Sequence, residues 1–165
     1  MSKKWFLILL CTFLTFGFCE KSFAKNTSIS LEKLKEISVN QELVVAYNNG
    51  KVITHKGGGI RPVLDHLEKH NFKNAYVYDK ITGKASALLL AYGGCKKLYT
   101  PILSEQAIPI LKKYNIEYTY DKTIPYIKTK RTPSGRCIME TAIKDTDDCK
   151  EAYKILTNKW KSLYN

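Results

Sequence analysis

Cysteine is scarce in this sequence and never closely paired. Five of 165 residues are Cys, and no two stand in a CxxC arrangement, which excludes a zinc ribbon and a disulfide-dense miniprotein. Acid is also short, with 15 Asp and Glu against 27 Lys and Arg, a formal balance of +12. No internal repeat, low-complexity tract or long linker interrupts the chain, so its length argues for one domain with a real core. Long apolar runs are missing too. The most apolar stretch, residues 5–18, has 14 residues, short of the roughly 20 that a spanning helix needs. What remains, 44% apolar and 25% charged residues, is the composition of a folded globular domain.

That apolar stretch follows the basic start Met1-Ser2-Lys3-Lys4 and precedes Ser22-Phe23-Ala24, the order of a secretory signal with cleavage after Ala24. Residues 1–24 are therefore read as a signal peptide and residues 25–165 as a single exported domain, periplasmic or extracellular, with an uncleaved anchor as the second reading. Bulky Phe18 before Cys19 argues against a lipoprotein site. Removing Lys3, Lys4, Lys21 and Glu20 takes the balance from +12 to +10 and leaves Cys95, Cys137 and Cys149. An odd number in an exported protein means at least one free thiol or a bond to another chain. Cys137 and Cys149 are nearest in sequence, but spacing alone establishes no bridge.

Apolar spacing at Leu31, Leu34 and Ile37 predicts a short amphipathic helix. Residues 43–47 and 52–54 flank Asn48-Asn49-Gly50, and Asn-Gly suits the positive φ angles of a tight turn, so a hairpin is expected. Gly57-Gly58-Gly59 then leads into Ile60, Val63, Leu64 and Leu67 at helical spacing, with Pro62 tolerated in the first turn. A strand is expected at residues 75–78 and a helix at 84–91, apolar nearly all round and hence buried between layers. Residues 98–100 read as a strand and 104–113 as a helix capped by Ser104, in which Pro109 is awkward. Residues 116–120 alternate like a strand, 124–127 suit an edge strand, and 137–143 suit a short helix. Asp148 with Glu151 opens a final helix. Strand and helix in alternation make an α/β fold with a largely parallel sheet covered by helices.

In such a sheet ligands bind beyond the carboxyl ends of the parallel strands, where helices begin. Three segments converge on that edge: Gly57-Gly58-Gly59 with Arg61, Asp79-Lys80 with Gly83-Lys84, and Ser104-Glu105. Arg61 and Lys84 place cations in first turns, and Lys80 lies just before one, against a macrodipole that favours anions there by roughly 0.3–1 kcal/mol per site. Glycines near these cations free backbone N–H groups for a ligand, so these residues are read together as a phosphate or carboxylate site. A phosphate-loop reading of Gly83-Lys84 fails, because Ala85 stands where Ser or Thr must hold magnesium and Tyr78 where the first glycine belongs. The zinc deaminase signature fails as well. His66-Leu67-Glu68 matches HxE, but it lies inside its helix and no PCxxC follows, so no metal is expected. Cys137 and Glu140, at i and i+3, share a helix face near Arg131 and Arg136. They are candidate nucleophile and proton carrier, set against the plainer reading of a small buried thiol and a first-turn carboxylate.

Taken together, Gly57 to Pro62 (Gly-x-Gly-Ile-Arg-Pro), Asp79-Lys80 with Gly83-Lys84-Ala85, Ser104-Glu105-Gln106-Ala107 and Cys137-Ile138-Met139-Glu140 resemble the prokaryotic family called domain of unknown function 1893, in order and over residues 31–144. The resemblance implies a cytidine deaminase-like three-layer α/β/α sandwich, with a mixed five-stranded sheet that starts in a hairpin and whose first strand runs against the others. It also implies absent zinc ligands and no established reaction. The chain departs from the family pattern at Ile138, where Pro is usual, and at Lys130-Arg131, where an Asn-Arg pair is usual.

Two functions follow. One is an exported, zinc-free pocket for a small anionic, nucleotide-like ligand. Arg61, Lys80 and Lys84 neutralise charge there, the backbone of residues 57–59 donates hydrogen bonds, Asp79 takes a ribose-like hydroxyl, and no cofactor is needed. The other is a basic or merely structural module that grips nucleic acid or another anionic polymer through counterion release. Scattered lysines and the lack of an aromatic-interleaved stripe weigh against the second.

Overall fold

The computed structural model describes residues 29–130 and 132–164. The export signal expected at residues 1–24 and the position of Arg131 lie outside the described residues. Among the described residues, no helix is long and apolar enough to cross a membrane.

The chain order is α1 (Leu31–Ile37), β1 (Leu43–Tyr47), β2 (Val52–His55), α2 (Arg61–Leu67), β3 (Ala75–Asp79), β4 (Ile81–Thr82), α3 (Lys84–Tyr92), β5 (Lys97–Ser104), a 3-10 turn (Glu105–Ala107), α4 (Ile108–Lys113), β6 (Glu117–Ile124), α5 (Ile138–Ala142) and α6 (Cys149–Tyr164). This is an α/β fold on a mixed sheet of six strands rather than the five expected, the extra one being the two-residue β4. β1 pairs antiparallel with both β2 and β3, whereas β3–β5 and β5–β6 are parallel. β4 continues the line of β3 after a break at Lys80, because Tyr78↔Tyr99 and Ile81↔Ile102 keep one register on β5.

Alternation along the central strands sends side chains to opposite faces. Leu43, Val45 and Val77 join Leu88, Leu98, Leu111 and Leu156 in the main core under α2–α6. Val44, Ala46, Tyr76, Tyr78 and Tyr99 face the other way, onto Leu34 of α1. α3 is enclosed as its composition requires: Leu88, Leu89 and Leu90 are all fully buried, and the helix packs against α2, α4, α5 and α6. Each such leucine contributes about 1.5–3 kcal/mol by leaving water.

Several local expectations change in detail. The hairpin turn has positive φ at Gly50 alone among its three residues. The Gly50 N–H bonds back to the Tyr47 carbonyl at 2.9 Å, the pattern of a three-residue loop closed by a glycine bulge rather than a two-residue turn. Pro109 does not interrupt a helix. The 3-10 turn ends at Ala107 and a new helix starts at Ile108, so Pro109 falls in its first turn, where no N–H is missed. The separate edge strand expected at residues 124–127 is absent. β6 instead runs unbroken to Ile124, and Pro125, which has no N–H to offer, follows it.

Candidate functional site

β3, α2 and α3 bring their ends to one edge of the sheet, and the C-terminal part of the chain folds over it. A cavity of about 130 Å³ opens there, lined by Gly59 and Ile60 before α2, by Asp79, Lys80, Ile81, Gly83 and Ser86, and by Ile127, Cys137, Met139 and Glu140. A second, of about 430 Å³, lies beside it between Lys84, Gln106, Pro109, Tyr126, Arg136, Lys144 and Asp147. Glu140 lines both.

Glu140 is the hinge of this geometry. It stands in the first turn of α5, and its Oε1 accepts the Lys84 N–H at 2.9 Å, while Oε2 accepts the Ile127 N–H at 3.4 Å. The N-terminus of α3, which has no cap of its own, thus holds a carboxylate of the same chain, as the helix dipole favours. Gly83 makes this possible, because a Cβ there would meet that carboxylate and the Ile127 side chain. Burial pushes the Glu140 carboxyl up from its ordinary value, against the lowering effect of the two backbone N–H bonds.

Asp79 is 7% exposed, and its Oδ2 accepts the hydroxyls of Thr82 and Ser86. Burial pushes it up to about 6 despite those two hydroxyls and a bond from the Ile81 backbone. Both hydroxyls fall on Oδ2, and a carboxylate has about four lone-pair sites, so Asp79 keeps acceptor capacity for an incoming donor.

The three cations read as one anion site do not share a hollow. Arg61 pairs with Asp65 at 3.2 Å and Lys80 with Glu42 at 2.8 Å. Lys84 pairs with Asp147 at 2.9 Å and donates to the Lys144 carbonyl at 3.0 Å. Only Lys80 lines the smaller cavity and only Lys84 the larger. Gly57 and Gly58 line neither cavity and are exposed. Ser104 is buried and caps the 3-10 turn, accepting the Gln106 N–H at 3.3 Å. Ser104 and Glu105 line neither cavity, and Gln106, one residue on, lines the larger.

Cys137 and Glu140 do meet Asp79, Lys80 and Gly83 around the smaller cavity, although nothing in their sequence spacing ties residues 137–140 to residues 79–83. Cys137 stands at the residue before α5 without a side-chain capping bond, and Cys95, Cys137 and Cys149 are all free thiols. Cys95 is buried, and desolvation pushes its thiol up to about 12. Arg136 lies with its guanidinium 4.6 Å from the Tyr126 ring centroid, and both line the larger cavity with Lys144. Tyr126 and Lys144 carry no sequence signal beyond their residue type. His66 is fully buried in the last turn of α2 and bonded to His55 and Tyr47, and among the described residues no group of three or more His, Cys, Asp or Glu is arranged for a metal ion.

No curated protein matches the chain. The crystal structure of a DUF1893 family protein (TM1506) from Thermotoga maritima is similar in fold, with a TM-score of 0.68 at 23% identity over 81% of this chain and 94% of that one. The family model "TM1506: Domain of unknown function (DUF1893)" matches residues 32–160, and on that match the chain belongs to the DUF1893 family.

Proposed function

We propose that this protein binds a small anionic, nucleotide-like ligand across the two cavities that meet at Glu140. The observation that carries the reading is the larger cavity itself, where Lys84, Arg136 and Lys144 outnumber Glu140 and Asp147 beside an aromatic ring and an amide, Tyr126 and Gln106. Guanidinium and ammonium groups suit phosphate or carboxylate oxygens. The smaller cavity approaches the about 150 Å³ that accommodates a benzene ring in other proteins. Its apolar walls, Ile60, Ile81, Ile127 and Met139, share the hollow with the Asp79 and Glu42 carboxyls and the Cys137 thiol, and those acceptors suit a flat heterocycle bearing an N–H. Charge in the larger hollow and ring in the smaller describe one phosphorylated heterocycle. Arg61, held outside both cavities, has no part in this.

A cytidine deaminase-like architecture without zinc ligands fits the same reading. It is supported by β1 running against every other strand and by the starts of α2 and α3 facing one hollow. Export is supported by the basic, apolar and small-residue order of residues 1–24.

Calorimetry with a panel of nucleoside monophosphates tests the proposal. The expected result is binding that depends on the base and weakens at least about tenfold in Arg136→Ala, the loss of one charge-assisted contact. No binding across the panel overturns it. Affinity that ignores the base and collapses with added salt identifies a polyanion-binding surface instead.

A further inference from the structure

The three histidines of the chain gather at one corner, where the β1–β2 hairpin meets the end of α2. His55 Nε2 lies 3.0 Å from His66 Nδ1, and the His66 and His70 rings are 5.2 Å apart. The Tyr47 hydroxyl donates to the Asn71 carbonyl. His66 Nε2 faces that same carbonyl at 3.3 Å and the Tyr47 oxygen at 3.1 Å. Two acceptors require a proton on Nε2, so His66 Nδ1 is bare and accepts from His55 Nε2–H. Charging both imidazoles removes the acceptor and breaks this bond, so the bonded pair carries one charge at most.

In front of the histidines lies a cavity of about 270 Å³ lined by Tyr47, Asn49, Lys51, Lys69, His70 and Asn71. Among the described residues, no carboxylate lines it. Asn49 Oδ1 accepts the Lys51 N–H at 3.1 Å and Asn71 Oδ1 accepts the Lys73 N–H at 2.9 Å, which leaves both side-chain NH₂ groups as donors. Lys51 and Lys69 have no ion pair among the described residues, whereas Arg61, Lys80 and Lys84 each have one. The wall is thus built of donors and positive charge, with the Tyr47 hydroxyl already committed. His66 is lowered to about 4, first by burial and then by the positive charge of His55, His70 and Lys51, against the bond to Asn71. On β2, His55 is lowered by burial, with Asp65 acting the other way.

We propose that this corner is a second ligand site, taking a tetrahedral oxyanion such as phosphate between Lys51, Lys69 and His70, with its charge coupled to the histidines behind. The site is independent of the cavities at α3 and stands or falls without them.

The test is titration of inorganic phosphate into the full chain carrying Lys84→Ala and Arg136→Ala, so that the larger cavity is silenced, followed by amide and imidazole NMR. Saturable shifts confined to Asn49, Lys51, Lys69, His70 and Asn71 are expected, together with an upward move of the His66 titration midpoint. Adding Lys51→Met and Lys69→Met, two exposed positions, is expected to weaken binding at least about tenfold. The proposal is overturned by an absence of saturation, by shifts that chloride reproduces at equal ionic strength, or by binding that survives the double Lys→Met change.

Discussion

α2 and α3 begin alike in sequence and differently in space. Each follows glycine, carries a cation in its first turn and lacks a side-chain cap of its own. Ahead of α2, a Cβ on Gly58 or Gly59 would meet nothing within 4 Å, and Arg61 turns along its own helix to Asp65. Ahead of α3, the space above Gly83 is filled by Glu140, fifty-six residues away from Lys84 in the chain. The same local pattern therefore marks an open loop at one helix and an internally neutralised terminus at the other. A glycine beside a cation says that something can approach, not whether a ligand or the chain itself does so.

The largest expected effect that sharpens this contrast is a dependence on pH. Asp79, before α3, is raised from 3.8 to about 6, so the folded chain holds its proton more tightly than the unfolded chain. Its contribution is present at low pH and lost as pH climbs toward 6. His66, at the end of α2, is lowered from 6.5 to about 4, so its folded form releases the proton first and stability rises over nearly the same window. Each amounts to about 3 kcal/mol, and the two oppose each other. Urea denaturation at pH 4 to 7 is expected to show Asp79→Asn gaining stability as pH rises and His66→Gln losing it, with the parent between. Parallel profiles for all three proteins break the argument.

Next in size is Gly83→Ala. Its methyl group displaces the Glu140 carboxylate or Ile127, an overpacking cost of about 1–3 kcal/mol. Gly58→Ala, at an open position without positive φ, is expected to stay within about 0.5 kcal/mol of the parent. Equal losses in thermal denaturation would show that the two helix starts do not differ. The smallest contrast is between cations. Lys84→Ala, whose side chain is 15% exposed, is expected to cost about 1 kcal/mol, and Arg61→Ala, whose side chain is 60% exposed, less than about 0.5.

Much of the fold was legible because it rests on local periodicity. The leucines of α3, the alternation of β1 and β3 and the carboxylate start of α6, where Asp148 Oδ1 accepts the Glu151 N–H at 2.8 Å, all act within a few residues. The site was legible in fragments. Asp79, Gly83, Lys84, Cys137 and Glu140 stood out by type and spacing, but in two unrelated groups. Ile127, Arg136 and Tyr126 join them only because the chain after β6 turns back, bridging Lys128 to Arg136, and sets α5 against α3.

The amino-acid order by itself determined most of the helices and strands and which faces they bury, since those follow from backbone sterics and from apolar spacing that repeats every few residues. Which partners answer Lys84 was decided only by tertiary structure, whereas Arg61 finds Asp65 one turn along its own helix. Coulomb attraction and hydrogen bonding act over a few ångströms of space, and the partners that Lys84 found, Glu140 at its backbone and Asp147 at its side chain, are far away along the chain.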